Sequence, residues 1–200
     1  MIITRLPDPP QAEIITIADI KEFCRLDDDL DAIHLSTLET LRNAAIETGE
    51  QETGIIWRAA DYEIEFGVNQ MLRFRSFFIP VAPAIAFKSF CGFDGDGHEA
   101  IFDPADYVFK PSDLENRRPW AFVSPASEWP NGLISAKMLV TAGWTAENLP
   151  KSLRLWALNR ISSSNERRGD MQINVTAMPR KHTERLLDRY RVMGGPNCGR

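Results

Sequence analysis

The longest helical pattern in the chain runs from Asp29 to Gly54 and reads DLDAIHLSTLETLRNAAIETGEQETG, and the other elements are expected to pack around it. Its apolar and small residues recur at i, i+3, i+4 and i+7, the spacing that places side chains on one side of a helix. The acidic residues just before it suit the positive end of the helix dipole, and Gly54 suits a helix end. A helix of this length needs other elements packed against its apolar stripe. The predicted stripe consists of Leu30, Ile33, Leu38, Leu41, Ala44 and Ala45, with His34, Thr37 and Thr48 between them.

The overall composition is that of an ordinary soluble globular protein, with 44% hydrophobic and 26% charged residues among 200. This length suits one elaborated domain or two small ones. No apolar run approaches the roughly 20 residues of a membrane-spanning helix, and the proline-rich start lacks the character of a signal peptide. The three widely spaced cysteines, Cys24, Cys91 and Cys198, favour reduced thiols over a disulfide framework or a zinc site.

Charge is divided unequally along the chain. Residues 1–150 carry 12 Lys and Arg against 24 Asp and Glu, a net charge of -12. Residues 151–200 carry 11 against 4, a net charge of +7. The chain therefore has an acidic body and a basic end, which is either a solvated surface feature or a sign that one end meets an acidic partner.

The region before the long helix predicts an arm and a short first helix. Residues 1–13 are rich in proline, so we expect a flexible, irregular N-terminal arm whose order depends on contacts elsewhere. Thr16 can cap the first helix, and Asp19 three residues later completes a variant of the capping box. The apolar spacing of this helix ends near Leu26.

After Gly54 the apolar period changes from 3.6 to 2, which predicts strands. Residues 61–66 alternate acidic and apolar side chains, and Leu72 and Phe74 predict a second strand that pairs with the first as a hairpin. The sequence Asp94-Gly95-Asp96-Gly97 is a strong hairpin signal, and Asn131-Gly132 marks another tight turn. Some six or seven strands are expected in all, in a small antiparallel sheet or partly closed barrel. The remaining predicted strands are Ile85–Phe93, His98–Phe102, Tyr107–Phe109, Trp120–Val123 and Ile134–Thr141.

Two further helices are expected near the C-terminus. Pro150 suits the first turn of a helix, and a polar loop is expected over Ser162–Asp170. Pro179 opens a last helix that ends before Gly194, and the residues after it are expected to form a flexible tail. The apolar positions of the two helices are Leu153, Trp156, Ala157 and Ile161, then Thr183, Leu186, Leu187 and Tyr190. The last helix also carries Arg180, Lys181, Arg185, Arg189 and Arg191.

Together these elements predict an α+β fold. About four helices, from residues 14–54 and 146–193, form one bundle, and a β domain of residues 55–145 is inserted between the second and third helices. The arm of residues 1–13 and the tail of residues 194–200 lie outside both.

Two acidic clusters invite a calcium interpretation, and both depart from the EF-hand pattern. Asp27, Asp29 and Asp31 match the first three ligand positions, but Ala32 stands where glycine is required and Leu38 where the closing glutamate is required. The cluster at 94–96 departs at the same two positions. A helix cap and a hairpin turn are the better interpretations.

The sequence also offers no catalytic constellation. His34, His98 and His182 lack the spacing of metal ligands, and His34 is interpreted as a packed or interfacial residue. No nucleophile elbow, Walker A or dinucleotide-binding pattern occurs. We therefore predict no catalytic residue, no cofactor-binding residue, no metal ligand and no enzymatic activity. A small hydrolase or sugar-binding domain with Trp120 and Trp129 as an exposed platform is the alternative from another class.

The order and spacing of several short phrases resemble the head–tail connector (adaptor) proteins of tailed bacteriophages and gene transfer agents. The resemblance covers about residues 14 to 193. Neither the N-terminal arm nor the final tail has a counterpart. The matching phrases are Ile15–Lys21 with Arg25–Asp27, Glu52–Gly54, Phe102–Tyr107, Trp129–Pro130, Val140–Trp144, Leu149–Pro150 and Tyr190–Arg191.

This resemblance implies a structural protein of the virion neck without catalytic residues. Connectors of this family form a ring, usually of twelve subunits, between the portal protein and the stopper or tail-terminator protein, after DNA packaging in the host cytoplasm. DNA passes through the lumen without sequence-specific binding, and no membrane is involved. Another neck or tail-end ring protein is the nearest alternative. The basic last helix is the expected portal contact, through Arg185, Arg189, Tyr190 and Arg191.

Overall fold

The computed structural model describes residues 1–7, 13–27, 29–67, 76–114, 118–166 and 181–192. The chain divides into two compact units, one of Met1–Gln11, Arg58–Gly143 and Gly194–Arg200, here the β unit, and one of Ala12–Trp57 and Trp144–Met193, here the helical unit. The described residues form eight strands, four α-helices and one short 3-10 helix, which makes the fold α+β. The strands are β1 (Ile2–Arg5), β2 (Ala60–Gly67), β3 (Phe77–Ile79), β4 (Ala84–Phe93), β5 (Glu99–Phe102), β6 (Tyr107–Lys110), β7 (Ala121–Pro125) and β8 (Ser135–Ala142). The helices are α1 (Ile17–Cys24), α2 (Ala32–Thr53), the 3-10 helix (Pro104–Asp106), α3 (Lys151–Glu166) and α4 (Lys181–Asp188).

The beginning of α1 is fixed by the predicted capping box. The Asp19 backbone N–H donates to the Thr16 hydroxyl over 3.1 Å, and the Thr16 backbone N–H donates to the Asp19 carboxylate over 2.7 Å. Two N–H groups that no helical carbonyl can reach are thereby satisfied. The helix ends at Arg25, whose φ of 54° lies in the left-handed region.

The ends of α2 also agree with the sequence. Asp31 is the N-cap and accepts the His34 backbone N–H over 2.8 Å, which confirms the helix cap. Gly54 ends the helix with a φ of 69°, a conformation that glycine adopts without steric cost.

The predicted stripe of α2 is wrong in part. Ile33 is 77% exposed, Ala44 is exposed and Leu41 is half-buried, whereas Arg42 is buried. The buried face is the row Leu38, Arg42, Ala45, Ile46, Gly49 and Thr53. Small residues in this row admit large rings from neighbouring elements, so the tertiary partners and not the apolar period select the face.

Within the helical unit, α3 packs against the other three helices and α2 also packs against α1 and α4. The predicted apolar residues of α3 are all buried, and Leu153 and Ile161 are fully inaccessible. Arg154 joins α3 to the start of the unit, because its guanidinium donates to the Asp19 carboxylate over 3.2 Å and to the Ile14 carbonyl over 3.3 Å. The prediction of a polar loop from Ser162 is wrong as far as Glu166, because α3 continues to that residue.

The larger sheet of the β unit is antiparallel with the strand order β1-β2-β8-β4-β5. The predicted hairpin at 94–97 joins β4 to β5, with Phe93 opposite Glu99. The expectation of an irregular arm is wrong for Ile2–Arg5, because these residues pair with β2 as an edge strand. Backbone pairing with β2 orders this segment although its own side chains are exposed.

A second, three-stranded sheet has the order β3-β7-β6, so the described residues form two antiparallel sheets and no closed barrel. Aromatic rings join the sheets, since Phe87 of β4 lies 6.0 Å from Tyr107 and 6.3 Å from Phe109 of β6 between ring centroids. Burial, and then the neighbouring Asp106 charge, raises the pKa of Tyr107 to about 12. The predicted strand at Leu72–Phe74 lies outside the described residues.

The larger sheet carries most of its charged side chains on the face opposite to Phe87. Asp61 of β2 accepts from Lys88 over 2.6 Å and from the Thr141 hydroxyl over 2.7 Å. Partial burial alone would raise the pKa of Asp61, but these two hydrogen bonds outweigh it and hold that pKa below its usual value. Lys137 of the central strand pairs with Glu63 over 3.4 Å.

Candidate interaction surface at the basic end

The end of α4 is held against the helical unit by backbone and side-chain contacts. The Val192 backbone N–H donates to the Thr53 carbonyl over 2.8 Å, at the C-terminus of α2. Leu187 is fully inaccessible and the Tyr190 backbone N–H donates to its carbonyl over 2.8 Å, which closes the helix. The segment therefore belongs to the core of the unit.

Tyr190 is not an exposed anchor in this structure. Its side chain is 8% exposed, and its phenol oxygen accepts a hydrogen bond from the Ser152 hydroxyl of α3 over 3.1 Å. The prediction that Tyr190 offers an apolar contact to a partner is therefore wrong for the folded unit. Its ring stabilises the position of α4 on α3 instead.

Three of the predicted contact residues lie on the surface: Arg185, Arg189 and Arg191 are all exposed. Arg191 already has acidic neighbours, with guanidinium nitrogens 3.2 Å from the Asp188 carboxylate and 3.7 Å from that of Glu52. Ion pairs of this kind on a surface contribute little to stability, about 0–1 kcal/mol. The exposed arginines thus lie on α4 and on the short segment after it, and hydrogen bonds and buried side chains hold that segment against the helical unit.

The predicted beginning of the last helix lies partly outside the described residues. Pro179 and Arg180 fall there, and so does the expected flexible tail of residues 194–200. The helix itself begins at Lys181 in the structure.

The β4–β5 turn brings together Asp94, Asp96 and His98, whose ligand atoms lie within 4.8 Å of one another. This corrects the view of His98 as an isolated histidine. The arrangement is explained by the turn, because one Asp94 oxygen accepts the backbone N–H groups of Asp96 and His98 over 2.9 Å each. The backbone hydrogen bond from His98 is also the main cause that lowers the pKa of Asp94.

Other sequence-based candidates are placed as follows. His34 is exposed with its ring 2.8 Å from Asp31, so a packed role within the chain is wrong, while an interfacial role stays a prediction. Trp129 is 8% exposed and packs with Phe90 and Tyr107, so it cannot serve as an exposed sugar platform. Trp120 is half-buried against Phe78.

Neither described thiol is activated for nucleophilic attack. Burial raises the pKa of Cys24, and burial together with the neighbouring Glu99 raises that of Cys91 to about 11. Both are free cysteines, as the sequence predicts, and thiols with raised pKa values are poorly reactive. Of the helices in the described ranges, none has both the length and the hydropathy to cross a lipid bilayer.

The folded chain is similar to solved chains of gene transfer agent (GTA) particles. A chain of the virion of the native GTA particle superposes with a TM-score of 0.69 at 18% identity, over 98% of this chain and 99% of that one. A chain from the neck of the empty GTA particle, computed with C6 symmetry, gives 0.64 at 15% identity over the same shares. A chain from the neck of the native GTA particle, computed with C12 symmetry, gives 0.59 at 22% identity, again over 98% and 99%. No protein-family model matches the chain, and no curated protein does. At these identities the likeness shows a shared fold over nearly the whole length.

Sequence reasoning named three arginines that are exposed in the structure, but it did not point to the exposed apolar residues at the edges of the larger sheet. Ile2 on β1 and Ile101 on β5 are 62% and 79% exposed. Each lies in a strand of four residues, which is too short for an alternating apolar pattern to be recognised in the sequence. The only available signal was β-branched residues beside a hairpin turn and at the chain start.

Proposed function

We propose that this protein is a structural component of a virion neck, a head–tail connector that links the portal to the stopper or tail-terminator protein. The observation that carries the proposal is the shared fold over 98% of this chain and 99% of each GTA chain. A match that leaves almost no residue of either chain uncovered favours the same kind of component over a domain borrowed for another role. The place of action is then the neck of a GTA or phage particle.

A ring is the form in which such a component closes the head. The similar neck chains come from particles computed with C6 and C12 symmetry, which supports a homo-oligomeric ring, and we infer twelve copies. We expect the free chain to be monomeric or weakly associated and to form the ring on the portal, because its surface is largely polar and charged.

The charge division suits a channel for DNA. With -12 on residues 1–150, the body of the ring repels the phosphate backbone, so DNA passes through the lumen without being held. The +7 on residues 151–200 suits an acidic protein surface. In this arrangement residues 14–54 and 146–193 act as the docking bundle and residues 55–145 as the inserted β domain.

Arg185 and Arg189, with Arg191 beside them, are the proposed portal contacts. Arg185 lies on α4 and the other two lie just after its end at Asp188; all three are exposed, while Leu187 and Tyr190 of the same segment are buried. Because the backbone of this segment is already fixed, binding does not have to order it and costs only the freedom of the arginine side chains. Tyr190 contributes by holding the helix in place.

Gene deletion tests the proposed function. Particles made without this protein should contain heads that have packaged DNA but carry no tails, and supplying the protein should restore tailed particles. Normal numbers of tailed, infective or gene-transferring particles without it would overturn the proposal.

Charge reversal tests the proposed contacts. The double variant Arg185→Glu/Arg189→Glu should weaken portal binding at least tenfold and reduce its dependence on salt, because fewer ion pairs form. Its matched control is Lys110→Glu/Arg118→Glu, which makes the same change of charge at two exposed basic residues of the β unit. Equal losses in the two variants would show that only net charge matters and that α4 is not the contact.

A further inference from the structure

The larger sheet has two edges that no described strand covers. In the described part of the chain, β1 pairs only with β2 and β5 pairs only with β4. An uncovered edge presents backbone N–H and C=O groups that can pair with another strand. Folded proteins usually protect such edges with charges, and here each edge carries one charged residue, Arg5 on β1 and Glu99 on β5, together with exposed isoleucines.

One row of register partners runs straight across the sheet and ends on these isoleucines. Ile2 lies opposite Glu65, Glu65 opposite Lys137, Lys137 opposite Cys91, and Cys91 opposite Ile101. Residues in one row project from the same face of a sheet. Ile2 and Ile101 are therefore level with each other, on one face, at opposite ends of the row.

The neighbouring row ends in the same way on the other face. Ile3 lies opposite Ile64, Ile64 opposite Met138, Met138 opposite Phe90, and Phe90 opposite Phe102. Ile3 is 42% exposed although its row partners Ile64 and Met138 are fully inaccessible. Both rows thus end on apolar side chains at an uncovered edge.

Strand direction makes the two edges complementary. Four antiparallel pairings separate β1 from β5, so these two strands run in the same direction. Rotation about an axis roughly parallel to the strands preserves that direction and brings β5 of one copy beside β1 of the next. The two strands would pair in parallel. In this register Ile101 lies beside Ile2 of the next copy, and Phe102 lies beside Ile3.

We propose that the partner of each edge is a second copy of this chain, and that neighbouring subunits join β5 to β1 so that the larger sheet continues around the ring. This inference rests on the ring of the proposed function. The contact is heterologous, with a different surface on each side, which is the kind that generates rings. Ile101 of one subunit packs beside Ile2 of the next on one face, and Phe102 packs beside Ile3 on the other.

Disulfide cross-linking tests this pairing. In a background with Cys24→Ser, Cys91→Ser and Cys198→Ser, the variant Ile2→Cys/Ile101→Cys is assembled on the portal protein of the same genome and mildly oxidised. Paired strands bring the two Cα atoms to about 5 Å, within the range of a disulfide. Within one chain they are about 19 Å apart across four strand spacings, so no internal bond can form.

The expected result is a ladder of covalent oligomers from dimer upward on a non-reducing gel, collapsed by reductant. Each single-cysteine variant can give dimers at most. The matched control Ile2→Cys/Val108→Cys replaces Ile101 by an exposed residue on β6, an edge of the smaller sheet, and should give no ladder. Rings visible by electron microscopy without a ladder would overturn the edge pairing and leave the proposed function standing. Equal ladders in variant and control would also overturn the pairing, and absence of any ring on the portal would overturn both proposals.

A non-covalent variant provides the second measurement. Ile101→Lys places a solvated charge on the edge and should reduce ring formation at least tenfold, while the matched Val108→Lys should change it less than twofold. Both substitutions are at exposed positions, so circular dichroism should show the same fold for each. Equal effects of the two lysines on ring formation would contradict a specific role for the β5 edge.

Discussion

Replacing Gly49 with alanine should destabilise the protein, against the ordinary preference of helices. Gly49 lies inside α2, where alanine normally stabilises by about 0.8–1 kcal/mol. Here an added Cβ would lie 2.5 Å from two atoms of the Trp57 six-membered ring and 3.1 Å from the Trp156 ring. Both rings are buried, so neither can move toward solvent without opening the core.

The size of the effect follows from how firmly Trp57 is held. Its indole N–H donates to the Thr53 hydroxyl over 3.2 Å, its backbone N–H donates to the Glu50 carboxylate over 2.8 Å, and its ring meets Trp156 edge-on at 5.8 Å. Overpacking at such a site costs about 3 kcal/mol, the upper end of the usual range. After the gain of about 1 kcal/mol from helix propensity, we expect a net loss of about 2 kcal/mol.

Urea denaturation followed by circular dichroism measures this loss, and a double-mutant cycle identifies its cause. Trp57→Phe removes the part of the ring nearest to the new methyl group, at the cost of a cavity of its own. The double variant Gly49→Ala/Trp57→Phe should therefore be more stable, by about 1 kcal/mol or more, than the sum of the single effects predicts. A stabilising Gly49→Ala, or strictly additive effects, would refute the packing described for this helix.

Three other changes have defined outcomes. Leu38→Ala should cost about 2–5 kcal/mol in thermal or urea unfolding, whereas Leu41→Ala at its half-buried position should cost less than half as much, and equal costs would contradict the buried face of α2. Gly143→Ala should destabilise the protein by about 3 kcal/mol or more, because φ at this residue is +100° and the new Cβ would lie 2.4 Å from a backbone carbonyl oxygen. A variant that melts at the wild-type temperature would contradict this. Lys88→Met should cost about 0.2–1 kcal/mol at pH 7. Partial burial alone would raise the pKa of Asp61, but the Lys88 hydrogen bond helps to lower it below its usual value. The stability that Lys88 contributes is therefore present above the pKa of Asp61 in the unfolded chain and disappears as the pH falls through its pKa in the folded protein. A stability difference between wild type and Lys88→Met that persists at pH 2 would contradict this.

Local signals predicted the ends of the elements well. The Thr16 and Asp19 pair, Asp31 and Gly54 each act within a few residues of chain, and the structure places each of them in the predicted role. The hairpin at 94–97 is of the same kind. Such features depend on hydrogen bonds that close over three or four residues, so no knowledge of the tertiary fold is needed to see them.

The buried face of α2 could not be obtained in this way. Ile33 fits the helical stripe but lies near the helix start, where nothing in the described chain covers it, and it is 77% exposed. Arg42 does not fit the stripe, yet it is buried with its guanidinium 3.1 Å from the Glu13 carboxylate. Only the positions of the partner elements decide these cases, and periodicity carries no information about them.

The candidate surface shows the same limit. The sequence identified a basic helix, and the structure exposes Arg185, Arg189 and Arg191 as an interaction surface requires. Tyr190 was assigned to the wrong side, because an aromatic residue among arginines is compatible with either a core or a surface position. The hydrogen bond from Ser152, distant in sequence, decides for the core.

Electron cryo-microscopy of this chain mixed with the portal protein of the same genome tests whether the protein forms a connector ring. We expect a ring of twelve copies at the tail-facing end of the portal, with α4 at the portal contact and the larger sheets side by side around the ring. A chain that stays unbound, or that binds as single copies without forming a ring, would contradict it.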